Sequence, residues 1–266
     1  MTALHRLHPA LVAAADAAQA AFRHARRTHA RAALEAKDGI GADGTQTMVL
    51  DRIVDAAVLA SIEGAGVNLL SEEVGWVDGG SAVTLVVDPV DGTANAAAGV
   101  PLSCFSGAVA IDGEITQGLT RWLDNGQDWA AADGELVAGG PYGPTTRRSV
   151  DGAELSLLRP QKTKNKAAWW RLADAAARIR VLSCSTLESA LVCTGAVDAF
   201  ADAGGDVHRI MDLAATIPIA RACGVTVIDA FDRAIEIDTD LTRRWSGIVA
   251  ATPELARNIQ ETIRDR

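Results

Sequence analysis

The sequence predicts an α/β protein whose first half is α+β and whose second half is α/β. Three observations predict it. Two stretches with helical spacing of apolar residues open the chain, and a meander of short apolar strands separated by turns follows them. Beyond about residue 150, short strands alternate with helical stretches. Within the first half lies Leu85 to Asn95, an apolar strand that ends abruptly in two acids, a proline and a glycine. With 266 residues and 48% hydrophobic content, the chain can bury a large core.

Residues 8–36 are rich in Ala, with Leu11, Val12, Ala15, Ala18 and Phe22 at helical spacing, and read as one long amphipathic helix. Arg23, Arg26, Arg27 and Arg31 form its solvated face. His5, His8, His24 and His29 have no metal-ligand spacing and read as surface residues. Lys37 to Thr45 holds three glycines and two aspartates in nine residues, which marks a flexible loop, either a plain connection or a functional lid. Gln46 to Glu63 reads as a second helix with a stripe of Leu50, Ile53, Val54, Ala57, Val58 and Ile62. Asp51 lies near its start, where it either complements the helix dipole or points across at a site.

Val67 to Ser71 is a strand ending in Glu72-Glu73-Val74-Gly75, and Trp76 to Ser81 is a Gly-rich loop. Val83 to Val87 is the central buried strand. Pro89 cannot donate to a ladder, so the strand should stop there. Ser103 to Ile111, Gly118 to Leu123 and Asp128 to Ala132 are strands joined by turns such as Asp112-Gly113 and Asn125-Gly126.

Gly139 to Arg148 holds three glycines and two prolines and marks the boundary between a metal-binding half, 1–142, and a substrate-side half, 143–266. A strand around Glu154 to Leu158 precedes the basic run Arg159 to Lys166, which reads as an exposed loop or as a basic rim around a phosphate-bearing substrate. Ala167 to Arg178 is a helix, with Trp169 and Trp170 packing one end. Arg180 to Leu182 is a strand, Thr186 to Thr194 a helix begun by Ser183 and Ser185, Ala199 to Asp202 a strand and His208 to Cys223 a helix. Val225 to Ile228, Ala234 to Ile237 and Gly247 to Ala251 are short strands, and Pro253 to Arg266 is a terminal helix.

The net charge of −9 excludes a nucleic-acid binder, which would need a basic patch. An acidic protein that handles anionic phosphates needs metal ions to offset repulsion. Cys104, Cys184, Cys193 and Cys223 form no CxxC pair and read as buried free thiols in a reducing compartment. No apolar run is long enough for a membrane span, and no apolar leader core is present, so a cytoplasmic protein is expected.

Asp88-Pro89-Val90-Asp91-Gly92-Thr93 can be a strand followed by a turn, since Asp, Pro and Gly are turn residues for local reasons. It can equally be a cation site. Hard divalent cations take carboxylate and carbonyl oxygens, which Asp88, Asp91 and Val90 supply, and Gly92 lets the backbone approach an anion. Asp51, Glu72, Asp88, Asp91 and Asp212 each fall at a strand end or a helix start. If they converge, the site holds enough carboxylate for two or three Mg²⁺ ions.

These motifs together resemble the inositol monophosphatase family, within the lithium-sensitive, magnesium-dependent phosphatases. Glu72-Glu73 is similar to the paired-Glu motif, residues 88–93 to DPxDGT, and Met211-Asp212-Leu213-Ala214-Ala215 to WDxAA with Met in place of Trp. Gly41 to Thr45, followed by Asp51, looks like the mobile loop and next helix of the archaeal-type branch, which often hydrolyses both inositol phosphate and fructose 1,6-bisphosphate. The resemblance covers about residue 8 to the C-terminus.

The resemblance implies a layered αβαβα sandwich of the sugar-phosphatase type and a homodimer. It implies a first metal on Glu72, Asp88 and the Val90 carbonyl, and a second on Asp88, Asp91 and Asp212. Glu73 would assist a third ion with the loop; Mg²⁺ is expected, with Mn²⁺ as a substitute. Asp51 and Thr93 would orient and deprotonate the attacking water, with Glu72 and Asp43, on the closing loop, completing the catalytic group. The Gly92 and Thr93 amides would hold phosphate, and Asp91, Ser185 and Asp202 would face the sugar. Ser183 stands where the family usually has glycine, and the 159–178 segment is the least family-like. The substrate is therefore open among inositol monophosphate, fructose 1,6-bisphosphate, 3′-phosphoadenosine 5′-phosphate, NADP and histidinol phosphate.

Two other readings compete. A haloacid-dehalogenase-like DxDGT motif would form an aspartyl phosphate, but it has one residue between its acids and sits near the N-terminus, whereas here two residues intervene. An inactive sugar-phosphate-binding homologue would have lost acids that this chain retains.

Overall fold

The computed structural model describes residues 3–140, 142–160 and 163–265. Pro141 of the boundary, Gln161 and Lys162 of the basic run, and Arg266 lie outside the described residues. The first half comprises α1 (Pro9–Thr28), α2 (Arg31–Leu34), β1 (Lys37–Ile40), β2 (Gln46–Met48), α3 (Val49–Ile62), β3 (Asn68–Ser71), β4 (Gly75–Val77), β5 (Val83–Asp91), α4 (Thr93–Ala98), β6 (Cys104–Ile111), β7 (Glu114–Trp122), β8 (Asp128–Ala132) and β9 (Glu135–Ala138). The second comprises β10 (Glu154–Leu157), α5 (Thr163–Ala175), β11 (Arg178–Arg180), α6 (Ser185–Cys193), β12 (Ala199–Ala201), α7 (Ile210–Ala214), α8 (Thr216–Cys223), β13 (Thr226–Asp229), β14 (Gly247–Ala250) and α9 (Pro253–Arg264).

Seven strands form a sheet in the order β4-β3-β5-β6-β7-β8-β9, and five form a second in the order β11-β10-β12-β14-β13. Successive side chains of a strand face opposite ways, and β5 uses both faces. Leu85 and Val87 pack under α1 and α3 with Leu11, Phe22, Leu50 and Val54. Val86 faces the other way, onto Met211, Leu213 and Ala214 of α7. Helices α6 and α8 lie between the sheets, with Cys104 and Trp129 on one side and Phe200 and Val249 on the other. Helices α5 and α9 cover the outer face of the second sheet with Leu172, Leu255 and Ile259. The layers are therefore α, β, α, β, α, as expected. The middle layer comes close to the first sheet: a Cβ on Gly118 of β7 would stand 2.2 Å from the Ala215 carbonyl oxygen.

Several local expectations are corrected. The first helix ends at Thr28, where His29 turns extended, and α2 is a separate turn. Lys37 to Thr45 is no flexible loop: β1 and β2 pair as an antiparallel hairpin, and the helix that follows starts at Val49 rather than Gln46. The Asp43 carboxylate accepts from the Thr45 amide and hydroxyl, both at 2.8 Å, and Gly44 takes the left-handed turn position. Strand β5 continues through Pro89 to Asp91, because a bulge separates the pairs Asp88–Ser106 and Asp91–Cys104, and a bulged residue needs no ladder N–H. Trp76, expected in a loop, pairs with Leu70 at the sheet edge, and β9 went unrecognised.

The basic run is partly helical, since α5 starts at Thr163 and ends at Ala175. The expected helix over His208 to Cys223 splits at Ala215, where Pro218 has no N–H for the Ala214 carbonyl. Ala234 to Ile237 forms no strand. All four cysteines are free, with Cys223 only half-buried. Among the described residues, no helix is long and apolar enough to cross a membrane.

Candidate metal and phosphate site

The bulge at the end of β5 brings Asp88 and Asp91 to one side. Asp88 accepts from the Val90 amide at 2.9 Å, which fixes the turn, and the Thr93 hydroxyl donates to the Val90 carbonyl at 3.0 Å. Gly92 bridges β5 and α4 at φ 84°, and a Cβ there would stand 2.8 Å from the Leu102 carbonyl oxygen, so only glycine fits. Asp212 arrives from the first turn of α7, where its Oδ2 accepts the Arg209 amide at 2.6 Å. One oxygen from each of Asp88, Asp91 and Asp212 lies within 4.8 Å of the others, and all three residues are buried. Strand β3 runs parallel to β5 with Ser71 beside Val87, so Glu72 follows at the same edge as Asp88.

Arg209 joins these acids. Its Nη1 donates to Asp43 Oδ2 at 2.8 Å and to Glu72, while Nε and Nη2 donate to Asp212 at 3.1 and 3.2 Å. The electrostatics follow. Burial, then Glu72 and Asp91, push Asp88 well above the usual carboxylate range. Burial, then Asp212, raises Asp91. Burial lifts Glu72 to about 7 although Arg209 opposes it. Burial also acts to raise Asp212, but Arg209 outweighs it and holds the carboxyl below its ordinary value. A set of hard oxygen donors that repel one another is the donor chemistry a divalent cation fits. Asp88, Asp91, Asp212, Glu72 and the Val90 carbonyl are the residues that would hold it.

Asp51 is buried beneath this group. It accepts from the Met48 amide at 2.9 Å and pairs with the Thr93 hydroxyl, and burial lifts it to about 6. Glu73, by contrast, turns from the cluster toward the hairpin, accepting from the Thr47 hydroxyl at 2.6 Å. Asp43 sits in the hairpin turn and reaches the cluster through Arg209. A cleft of about 240 Å³ opens over the site, lined by Asp91, Asp212, Arg209, Arg159, Ser183 and Ser185. Asp202, expected at the sugar, is turned into its own loop, where it accepts from the Gly205 and Val207 amides at 2.9 and 3.1 Å.

Sequence reasoning missed Arg209, Thr186 and Glu188. Arg209 carried one signal: it stands three residues before Asp212, the spacing at which a helix-start carboxylate reaches back to its cap. Glu188 is wholly buried and accepts from Ser156 Oγ and the Leu182 and Cys184 amides, stapling the loop before α6. It stands inside an apolar helix, so nothing local marked it.

A five-layered sandwich with a carboxylate cage at the end of β5 fits the class of metal-dependent phosphoric monoester hydrolases. The chain belongs to the inositol monophosphatase family, which matches residues 4–266. A fructose-1,6-bisphosphatase/inositol-1-monophosphatase from Thermococcus kodakarensis is 29% identical over 85% of this chain and 86% of its own. The inositol-1-monophosphatase ImpA from Mycolicibacterium smegmatis is 28% identical over 78% of this chain and 75% of its own. The crystal structure of an inositol monophosphatase–fructose 1,6-bisphosphatase superposes with a TM-score of 0.83 at 24% identity, covering 94% of this chain and 98% of that one. At that identity the superposition speaks to the fold.

Proposed function

We propose that this protein is a Mg²⁺-dependent phosphomonoesterase for a small sugar or polyol phosphate, inositol 1-phosphate or fructose 1,6-bisphosphate, working as a cytoplasmic homodimer. The observation that carries the reading is the convergence of Asp88, Asp91 and Asp212 within 4.8 Å, with Glu72 tied to Asp212 through Arg209. Glu72, Asp88 and the Val90 carbonyl hold one cation; Asp88, Asp91 and Asp212 hold a second. Glu73 holds a third only if it leaves Thr47. When bound, the cations lower the pKa of water and neutralise charge on the phosphoryl and leaving oxygens.

The chain's own groups do the rest. The Gly92 and Thr93 amides hold the phosphate against the end of β5. With its hydroxyl turned from the Val90 carbonyl to Asp51, Thr93 accepts a proton from the attacking water as its own passes to Asp51, which is ionised above about 6. Asp43 closes the hairpin over the cleft, and Ser185 faces the polyol beside Asp91. In-line attack by water then needs positioning rather than a covalent nucleophile.

The test is phosphate release from inositol 1-phosphate, fructose 1,6-bisphosphate, 3′-phosphoadenosine 5′-phosphate, NADP and histidinol phosphate, with Mg²⁺, with EDTA and with Li⁺. Release from the first two is expected, lost in EDTA, inhibited by Li⁺ and abolished in Asp91→Asn. Turnover that survives EDTA, or an active Asp91→Asn enzyme, overturns the proposal.

A further inference from the structure

We infer that Arg209 is a positioning residue that buckles the Lys37–Met48 hairpin onto the carboxylate cage. The inference rests on the site reading above, and its geometry is independent of which ester is cleaved. The hairpin is a two-stranded sheet that pairs with no third strand among the described residues, and such an isolated hairpin is marginal in water. All four residues of β1 are exposed, and Ile40, its largest apolar side chain, is 69% exposed. Met48, at its end, packs against the core; beyond it, apolar burial does little to hold this hairpin down. Its buried side chains are polar: Asp43 and Thr47.

Asp43 is the main peg. Its carboxylate meets Arg209 at 2.8 Å, and Arg244 reaches both the same carboxylate oxygen, at 3.6 Å, and the Asp43 carbonyl, at 3.0 Å. Thr47 and the Ala42 amide both bond Glu73, at 2.6 and 3.2 Å. The same guanidinium that grips Asp43 grips Glu72 and Asp212. Arginine suits this place because its planar fork spends separate N–H groups on three carboxylates, which a lysine ammonium cannot do in fixed directions. Arg209 thus links lid position to ligand orientation, while Arg244 and Glu73 hold the hairpin beside it. Arg209 turns Glu72 and Asp212 to face each other across the cage, and the hairpin closes over them.

The test uses the full-length protein in EDTA, without substrate. Hydrogen exchange at the Ala42 amide, which bonds the Glu73 carbonyl outside the hairpin, reports closure. Arg209→Gln and Asp43→Asn are each expected to speed that exchange at least tenfold. Arg209→Lys, which keeps the charge but not the fork, is expected to exchange as fast as Arg209→Gln while melting in EDTA close to the parent protein. A role in bulk stability alone would move exchange and melting together. If Arg209→Gln does not fold without metal, Asp43→Asn decides, since it leaves Arg209 with Glu72 and Asp212. Exchange within twofold of the parent in Asp43→Asn, or full protection in Arg209→Lys, overturns the inference. A failed phosphatase reading would show instead as absent phosphate release with the hairpin protected.

Discussion

Thr186 donates both its backbone N–H, at 2.7 Å, and its hydroxyl, at 2.8 Å, to the same oxygen of Asp91, Oδ2. The bond joins the first turn of α6 in the second half to the end of β5 in the first. It fixes the Asp91 carboxyl plane and leaves the other oxygen for the cage. Thr186→Val keeps the shape and the amide but removes the hydroxyl. Phosphate release should fall about tenfold, with a right-shifted Mg²⁺ titration, because groups that orient metal ligands are commonly worth 10- to 100-fold. Thr186→Ser should restore both. An unchanged Mg²⁺ titration for Thr186→Val would refute this role.

Gly118 is where the middle helices meet the first sheet. A Cβ there would stand 2.2 Å from the Ala215 carbonyl oxygen and 2.7 Å from Pro218 Cγ. Those atoms belong to the backbone and a proline ring, so neither can swing aside. Gly118→Ala should push α7 and α8 outward and cost about 1–3 kcal/mol. Because α7 carries Asp212, Mg²⁺ affinity should fall with it. Chemical denaturation and a Mg²⁺ titration of the same variant check both effects.

Ser183 adopts φ 60°, the left-handed region that non-glycine residues enter at a cost. The Asn95 side-chain amide holds its backbone through the Leu182 and Ser183 carbonyls, at 2.7 and 3.4 Å, and its side chain is exposed at the cleft. Ser183→Gly should relieve strain and raise stability by about 1 kcal/mol, a rise in Tm of roughly 2–4 °C for a chain of this size. A fall in Tm would mean that the serine hydroxyl, not the backbone, decides the position.

The α+β and α/β halves and the order of the cage acids were legible because they rest on local pattern, whereas the five layers were legible only through the family resemblance. Leu85, Val86 and Val87 announce a two-faced strand, and Asp88 to Thr93 announces a sharp, oxygen-rich end. What was not legible is pairing across distance. The hairpin at Lys37 looked like a loop because its strands bury almost no apolar side chain. Pro89 looked like a strand end because a bulge depends on the partner strand, here β6, and not on the proline. Arg209 drew no reading because its carboxylates come from residues 43, 72 and 212, far apart in sequence. Asp202 looked like a sugar contact, and only the folded loop shows its oxygens bound to Gly205 and Val207.

The raised carboxylates make the metal-free protein respond to pH in a definite direction. Burial lifts Asp51 to about 6 and Glu72 and Glu188 to about 7, from ordinary values of 3.8 and 4.5. Between about pH 4 and pH 7 the folded protein therefore keeps protons that the unfolded chain has released. Stability then falls as pH rises through that window. Asp212 and Asp229 are shifted the other way, so their contribution is lost only below about pH 4 and leaves the window untouched. Glu188 alone, moved from 4.5 to about 7, accounts for about 3 kcal/mol across it. In EDTA, Tm should drop from pH 5 to pH 7.5. Mg²⁺ binds the ionised carboxylates of the folded state, so in saturating Mg²⁺ the drop should shrink or reverse. The part due to Glu188, which lies outside the cage, should persist. A Tm in EDTA that climbs over the same interval would mean that these acids are ionised without a cation, and that Arg209 suffices to neutralise them.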